Sequence, residues 1–123
     1  GSRVCSSYLQ YPVDATLAET SVIAIGETKN NTPVRLNGIS GIGQEEELSY
    51  IVYGTKGVLK LRNWSELSMA QKDSPFEILT SFDSVKSLVE ECISGLNGDA
   101  EILVPFSEGL IVQMLIDELL TEK

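Results

Sequence analysis

One short stretch, residues 49–62, limits what this chain can fold into more than any other part of its sequence. It contains two runs in which β-branched and aromatic residues are frequent, or in which apolar and polar residues alternate. The connection between the runs is Gly54-Thr55-Lys56-Gly57, and glycine takes backbone conformations that other residues avoid in a tight turn. The stretch therefore predicts a β-hairpin in an antiparallel sheet.

The turn of this hairpin allows two registers. The favoured register makes Gly57 a left-handed bulge residue. Its apolar face then holds Ile51, Tyr53, Leu59 and Leu61, and its mixed face holds Tyr50, Val52, Val58, Lys60 and Arg62. A plain two-residue turn would instead group Tyr50 and Val52 with the two leucines. Under either register, Lys60 and Arg62 lie opposite the leucines.

Further strands are predicted on both sides of the hairpin. Residues 20–26 are apolar and β-branched, and residues 33–40 alternate after a polar turn, so the two runs predict an antiparallel pair. Together with the hairpin they predict a four-stranded meander. Residues 64–71 add a fifth strand through Leu67 and Met69.

The hydrophobic period changes from 2 to 3.6 in the last third of the chain. A stripe with helical spacing comprises Phe82, Val85, Leu88, Val89, Cys92, Ile93 and Leu96. Ser81 or Asp83 can cap this helix, and Gly95 or Gly98 can end it. Cys92 is predicted to be buried because it lies on the apolar stripe.

A second helix is predicted after an extended link over residues 102–105. Ser107 is its expected cap, and Glu108 lies in its first turn. Most of the circumference of this helix is apolar, so it is expected to be buried on more than one side. Strands followed by a helix pair predict an α+β fold, in which an antiparallel sheet carries the two C-terminal helices on one face.

The beginning of the chain is less regular. Gly1-Ser2 has the look of residues left after tag removal. Residues 3–18 mix Ser, Tyr and Pro without a clear period, so they are predicted to be a loop with a short helix near 13–18. Residues 19–123 are expected to form one domain, since a chain of 123 residues is too short for two of ordinary size.

Composition excludes several classes of function. The net charge of −9 with only nine Lys and Arg residues argues against a nucleic-acid partner. The sequence has no apolar run of about 18 residues, so no membrane span is expected. Its two cysteines form neither a disulfide framework nor a zinc site, which favours a reducing, cytoplasmic location.

The sequence offers no complete active site. It has no histidine, and its glycine-rich segments lack the spacing of dinucleotide or phosphate loops. No catalytic, cofactor-binding or metal-binding residue is therefore assigned. The mixed sheet face is the candidate site, because aromatic residues and arginine are enriched at protein interfaces. The predicted interface residues are Tyr50, Val52, Lys60, Arg62 and Trp64.

Residues 53–61, Tyr53-Gly54-Thr55-Lys56-Gly57-Val58-Leu59-Lys60-Leu61, resemble a strand-turn-strand signature in the C-terminal domain of the Gfo/Idh/MocA oxidoreductases, relatives of glucose-fructose oxidoreductase and inositol dehydrogenase. The helix over residues 82–96, closing in Ser94-Gly95, and the segment Pro105-Phe106-Ser107-Glu108-Gly109-Leu110-Ile111-Val112 before the terminal helix resemble that family's last two helices. The resemblance covers about residues 19–121.

The resemblance implies a two-domain enzyme of which this chain is the C-terminal part. An N-terminal Rossmann domain, absent here, would bind NAD or NADP, and a sugar-like or polyol substrate would lie between the domains. The open sheet face would form a homo-oligomer contact, and Tyr8 and Tyr11 would border the substrate cleft. The family's cofactor and catalytic segments would precede residue 3, so this chain alone would bind no cofactor and would not be catalytic. The alternative is a self-standing interaction module that uses the same sheet face on another protein.

Overall fold

The computed structural model describes residues 1–14, 16–81, 83–99 and 104–121. The described residues form an α+β fold with antiparallel strands, as predicted. The elements are β1 (Arg3–Gln10), β2 (Ser21–Glu27), β3 (Pro33–Ile39), β4 (Ser49–Tyr53), β5 (Gly57–Arg62), β6 (Glu66–Gln71), β7 (Glu77–Ser81), α1 (Ser84–Leu96) and α2 (Phe106–Leu120). Phe82, the first residue of the predicted stripe, and residues 102–103 of the predicted link lie outside the described residues.

The chain divides into two compact units. Unit 1 comprises residues 1–43 together with those from 104 onward, and unit 2 comprises residues 44–103. Unit 1 holds a three-stranded sheet in the order β1-β2-β3, and unit 2 holds a four-stranded sheet in the order β4-β5-β6-β7. The predicted four-stranded meander of two hairpins is therefore wrong, because the two hairpins belong to different sheets. The glycine-rich connection between β3 and β4 carries no alternating pattern that would specify pairing between them.

Unit 1 is built on a strand that the sequence did not predict. The predicted loop is wrong over Arg3–Gln10, which forms β1 and pairs antiparallel with β2. The register of this pair shifts between Val4 and Ser6. Such a bulge places Val4, Ser7 and Leu9 on one face, so the alternation that marks a strand is hidden.

The short helix predicted near residues 13–18 does not form among the residues described there. Asp14 instead holds a local turn, since its carboxylate accepts hydrogen bonds from the backbone nitrogen of Thr16 at 3.0 Å and from its hydroxyl at 2.6 Å. Asp side chains that bond the backbone two residues on favour turns over helices.

Helix α2 packs against β1 in unit 1. It begins at Phe106 because the Pro105 carbonyl already accepts hydrogen bonds from the backbone nitrogens of Glu108 and Gly109. The predicted cap at Ser107 is therefore wrong, although Glu108 lies in the first turn as predicted. Buried residues of this unit are Ser7, Leu9 and Ala24.

Helix α1 of unit 2 has the ends that the sequence predicted. The Asp83 carboxylate accepts hydrogen bonds from the backbone nitrogens of Val85 and Lys86, both at 3.1 Å. After the helix, Gly98 has a φ of +99°. Its nitrogen donates to the Gly95 carbonyl at 3.1 Å, while that of Asp99 donates to the Ser94 carbonyl at 3.1 Å, which is a Schellman motif.

The apolar stripe of α1 is not covered. Val85, Leu88, Val89 and Ile93 are each half exposed or more. The predicted burial of Cys92 is wrong, since its side chain is exposed. Helical spacing correctly identified which residues share a face, but it cannot say whether anything packs on that face.

Candidate interaction surface

The β4–β5 hairpin adopts the plain two-residue turn. Tyr50 pairs with Leu61, Val52 with Leu59 and Tyr53 with Val58. The nitrogen of Gly54 donates to the carbonyl of Gly57 at 2.9 Å and closes the turn around Thr55-Lys56. The favoured bulge register is therefore wrong, and Tyr50 and Val52 share a face with the two leucines.

Gly57 has a different role from the one that the sequence suggested. It is not among the described glycines with positive φ. A Cβ atom at this position would lie 2.6 Å from the carbonyl oxygen of Ala70 on the neighbouring strand β6. Glycine is needed here because two strands approach closely, and this constraint comes from a residue thirteen positions away.

The register builds one continuous apolar surface across three strands. Leu59 pairs with Met69 and Leu61 with Leu67, so the leucine face extends onto β6. We call the resulting set the apolar sheet face: Tyr50, Val52, Leu59, Leu61, Leu67 and Met69. Within the described strands β4–β6, this face carries no charged side chain, while Glu77 of β7 lies opposite Met69 at its edge.

The apolar sheet face is exposed at Tyr50, Val52 and Leu59, whereas Leu61, Leu67 and Met69 are half-buried. Tyr50 is 65% exposed, Val52 47% and Leu59 43%. A strand face of this composition normally packs against another layer, because burying a large apolar side chain stabilises a fold by about 1.5–3 kcal/mol. Exposed contiguous apolar surface marks interaction sites on soluble proteins.

The predicted mixed interface is divided between two faces. Lys60 pairs with Ile51 and Arg62 with Ser49, so both cations lie opposite Tyr50 and Val52. Their position opposite the leucines is confirmed. Arg62 also forms a long ion pair with Glu47, with its Nε 3.9 Å from a carboxylate oxygen. The proposal that all five predicted residues share one surface is therefore wrong.

Trp64, the fifth predicted residue, lies in the turn between β5 and β6. Asn63 and Trp64 both have positive φ, 47° and 64°, and the nitrogen of Ser65 donates to the Arg62 carbonyl at 3.1 Å, as in a type I′ turn. Asn63 holds the turn through two hydrogen bonds with Leu48, at 2.9 and 3.0 Å. The indole of Trp64 is 61% exposed.

Unit 1 contains an apolar cleft of about 310 Å³ between α2 and the sheet. Its walls include Val4, Ala24, Val34, Leu36, Val112, Leu115, Ile116 and Leu119. Arg3 and Glu27 also line it, and they form an ion pair with an N–O distance of 2.6 Å. The hydrogen bond to Glu27 and the charge of Glu27 raise the pKa of Arg3.

Neither tyrosine proposed for a substrate cleft lines this apolar cleft. Tyr8 pairs with Ile23 on the opposite face of the sheet, because it alternates with Ser7 and Leu9, and its side chain is 58% exposed. Tyr11 follows β1 and is 46% exposed. That they border a substrate stays a prediction.

The described residues contain neither a candidate metal site nor a membrane-spanning helix. No group of three Cys, Asp or Glu side chains there lies close enough to hold a metal ion. Among those same residues, no helix is both long and apolar enough to cross a lipid bilayer. Both cysteines are free thiols.

Comparison with known proteins gave no relative. No protein-family model matches the chain, and neither a curated protein nor a solved structure matches it at the threshold used.

Sequence reasoning missed part of the candidate surface. The sequence predicts Leu59 and Leu61 on the apolar face away from the candidate site, and it predicts only a strand for Leu67 and Met69. The available signal was the alternation of residues 67–71, which matches that of β5 once a two-residue turn fixes the register. No sequence pattern predicted the cleft in unit 1, because β1, which forms one of its walls, was not predicted to be a strand.

Proposed function

We propose that this chain is the C-terminal substrate and oligomerisation domain of an NAD(P)-dependent oxidoreductase that acts on a sugar-like or polyol substrate. Self-association through the apolar sheet face is its direct role. The observation that carries the proposal is the exposure of Tyr50, Val52 and Leu59 on one apolar face of β4 and β5. Cofactor binding and catalysis would belong to a Rossmann domain of the same protein.

The amount of exposed surface supports a role inside a larger assembly. Two separate folded domains, each of half the chain's 13.4 kDa, would together expose about 7,800 Å². The chain exposes 10218 Å², which is about 2,400 Å² more than that expectation. Among the described residues, no large side chain is fully buried. Exposed surface of this extent is normally buried against another protein surface, and a second copy of the chain would bury it.

The oxidoreductase part of the proposal rests on the resemblance to the Gfo/Idh/MocA C-terminal domain. The segments that carry it form a hairpin around Gly54–Gly57, a helix over Ser84–Leu96 and a terminal helix over Phe106–Leu120, in that order. A cytoplasmic location belongs to the same proposal and is supported by the free, exposed thiols of Cys5 and Cys92.

The open sheet face also favours a second candidate function. A self-standing interaction module would use the same apolar sheet face on a different protein and would need no catalytic parent. The two candidates differ in the size of the natural gene product and in whether that product binds a dinucleotide.

The test is the intact mass of the natural gene product in an extract of its source, followed by titration with NADH and NADPH. We expect a product of about 300 residues or more that binds one of the two dinucleotides with a change in nicotinamide fluorescence. The 123-residue chain is the matched control and should leave that fluorescence unchanged. A natural product near 13.4 kDa would contradict the oxidoreductase and favour the interaction module.

A further inference from the structure

The apolar cleft of unit 1 exists because the middle of its sheet carries small residues. Ala24 and Gly26 lie two positions apart on β2, the central strand, and so share one face of the sheet at the floor of the cleft. A larger residue cannot replace Gly26 freely, since a Cβ atom there would lie 2.8 Å from the carbonyl oxygen of Arg3. Helix α2 packs against β1, which is an edge strand of this sheet. Space is therefore left over the central strand.

Larger apolar side chains surround this floor. On β3, Val34 pairs with Gly26. Leu36 on the same strand pairs with Ala24. The residues that line the cleft from α2 are Val112, Leu115, Ile116 and Leu119. Val34 and Leu36 are each 45% exposed, so the cleft is apolar inside and can still be reached from solvent.

The volume of the apolar cleft limits the size of its occupant. At about 310 Å³ it lies in the range of small-molecule sites. This is about twice the volume of a cavity of ~150 Å³ that binds one benzene molecule, which corresponds to about ten to twelve carbon atoms. A helix with its side chains is about 10–12 Å across, so the cleft could contain less than one turn of it. A small molecule therefore fits the cleft, and a helix of a partner protein does not.

The charges at the apolar cleft favour an uncharged occupant. Among the described residues that line it, the charged ones are Arg3 and Glu27, and they pair with each other at 2.6 Å. A charged ligand would either disrupt this pair or place its own charge against apolar side chains. Either arrangement is costly, because a charge removed from water needs a partner. An uncharged apolar molecule has neither cost.

We propose that the apolar cleft of unit 1 binds an uncharged, apolar small molecule of about ten to twelve carbon atoms. Such binding depends neither on self-association nor on an oxidoreductase parent, because every residue that lines the cleft belongs to unit 1. Val112 is the best position for testing it. This side chain lines the cleft and is 54% exposed, so a substitution there disturbs the buried residues least.

The test measures binding of N-phenyl-1-naphthylamine, an uncharged dye that becomes fluorescent in apolar surroundings, to the full 123-residue chain. Val112→Asp places a charge in the cleft, and Val112→Trp fills part of it with an apolar ring. Met114→Asp is the matched control, because Met114 lies on the same helix, is 62% exposed and does not line the cleft. Leu59→Glu reports any dye that binds the apolar sheet face instead.

We expect both Val112 variants to weaken dye binding at least about tenfold, and Met114→Asp to bind the dye like the wild type. Val112→Trp keeps the cleft apolar, so it tests the site even where the aspartate variant loses helix content. Wild-type affinity in Val112→Trp would overturn the proposal, and so would equal losses in Val112→Asp and Met114→Asp. A wild-type chain that binds no dye, or that loses it in Leu59→Glu alone, would overturn it as well.

Competition for the bound dye tests the class of ligand. The competitors are 1-decanol, decanoate and decylammonium, which share a chain of ten carbon atoms and differ in charge. We expect 1-decanol to displace the dye at the lowest concentration, because it leaves the pair of Arg3 and Glu27 intact. Displacement by decanoate or decylammonium at a lower concentration than 1-decanol would overturn the assignment of an uncharged ligand.

Discussion

Tyr50 lies directly opposite Leu61 across the β4–β5 ladder, and Leu61 in turn lies opposite Leu67 on β6. This row fixes which residues face each other across β4, β5 and β6. In this register Tyr50 shares a face with leucines, whereas the bulge register would place it on a face with Lys60 and Arg62. The identity of the candidate surface therefore depends on a register shift of a single residue.

The register can be measured by NMR in the folded chain. We expect nuclear Overhauser contacts between the Tyr50 ring and the Leu61 methyl groups, because directly opposed side chains lie about 4.5–5.5 Å apart at Cβ. The bulge register would instead bring Tyr50 opposite Arg62. Contacts from Tyr50 to Arg62 without contacts to Leu61 would show that our assignment of the faces is wrong.

Gly57 should be intolerant of any side chain. We expect Gly57→Ala to lower the free energy of unfolding by about 1–3 kcal/mol, because its Cβ would meet the Ala70 carbonyl oxygen at 2.6 Å. Gly43→Ala is the control, since a Cβ there would have no neighbour within 4 Å. Equal urea midpoints for the two variants would argue against the close approach of β5 and β6.

Ser7 and Ser68 make a matched pair for testing the cost of an unpaired hydroxyl. Both are more than nine-tenths buried, yet the Ser68 hydroxyl donates to the Lys60 carbonyl at 3.5 Å while the Ser7 hydroxyl has no partner among the described residues. Removing an unpaired buried group is stabilising. We expect Ser7→Ala to raise the free energy of unfolding by up to about 1 kcal/mol and Ser68→Ala to lower it by about 0.5 kcal/mol.

Urea unfolding of both serine variants checks this prediction. A loss of stability in Ser7→Ala as large as that in Ser68→Ala would mean that the Ser7 hydroxyl has a partner after all. The contrast is informative because the two residues have the same side chain and nearly the same burial in different sheets.

The Asp14 turn should respond to pH. Hydrogen bonds from the Thr16 hydroxyl and then from its backbone nitrogen lower the pKa of Asp14. A lowered folded pKa means that the turn is favoured above the ordinary Asp pKa, and that this contribution is lost as the pH falls through the lowered value. The change should be confined to acidic solution.

An NMR titration of Asp14 tests this with two variants. Thr16→Val removes the hydroxyl donor and should raise the Asp14 pKa part of the way toward its ordinary value, since the backbone donor remains. Thr20→Val should have no effect, because the Thr20 hydroxyl donates to the Gln10 carbonyl instead. An Asp14 pKa that Thr16→Val leaves unchanged would contradict the assigned cause.

Much of the secondary structure could be predicted because its signals are local. The strands at β2, β3 and β6 follow from short alternating or β-branched runs, and the ends of α1 follow from Asp83 and Gly98. β1 could not be predicted, since the bulge after Val4 breaks its alternation. β7 was missed because it is short and follows a polar break.

The candidate surface was harder to predict than the fold because its determinants are not local. The need for glycine at position 57 depends on how closely this residue approaches Ala70 on another strand. The exposure of Cys92 depends on whether a partner covers α1, which helical spacing does not encode. That Trp64 belongs to an interface stays a prediction, and its positive φ is visible only in the backbone.

The central claim is that the uncharged side of the β4–β6 sheet holds a second copy of the chain. It is tested most directly by measuring the mass of Leu59→Glu and Lys60→Glu in solution by sedimentation equilibrium, because these neighbours lie on opposite faces and change toward the same charged residue. We predict that Leu59→Glu is monomeric at concentrations where the wild type self-associates, and that Lys60→Glu associates like the wild type. Self-association that survives Leu59→Glu and is lost in Lys60→Glu would contradict the account and assign the contact to the opposite face.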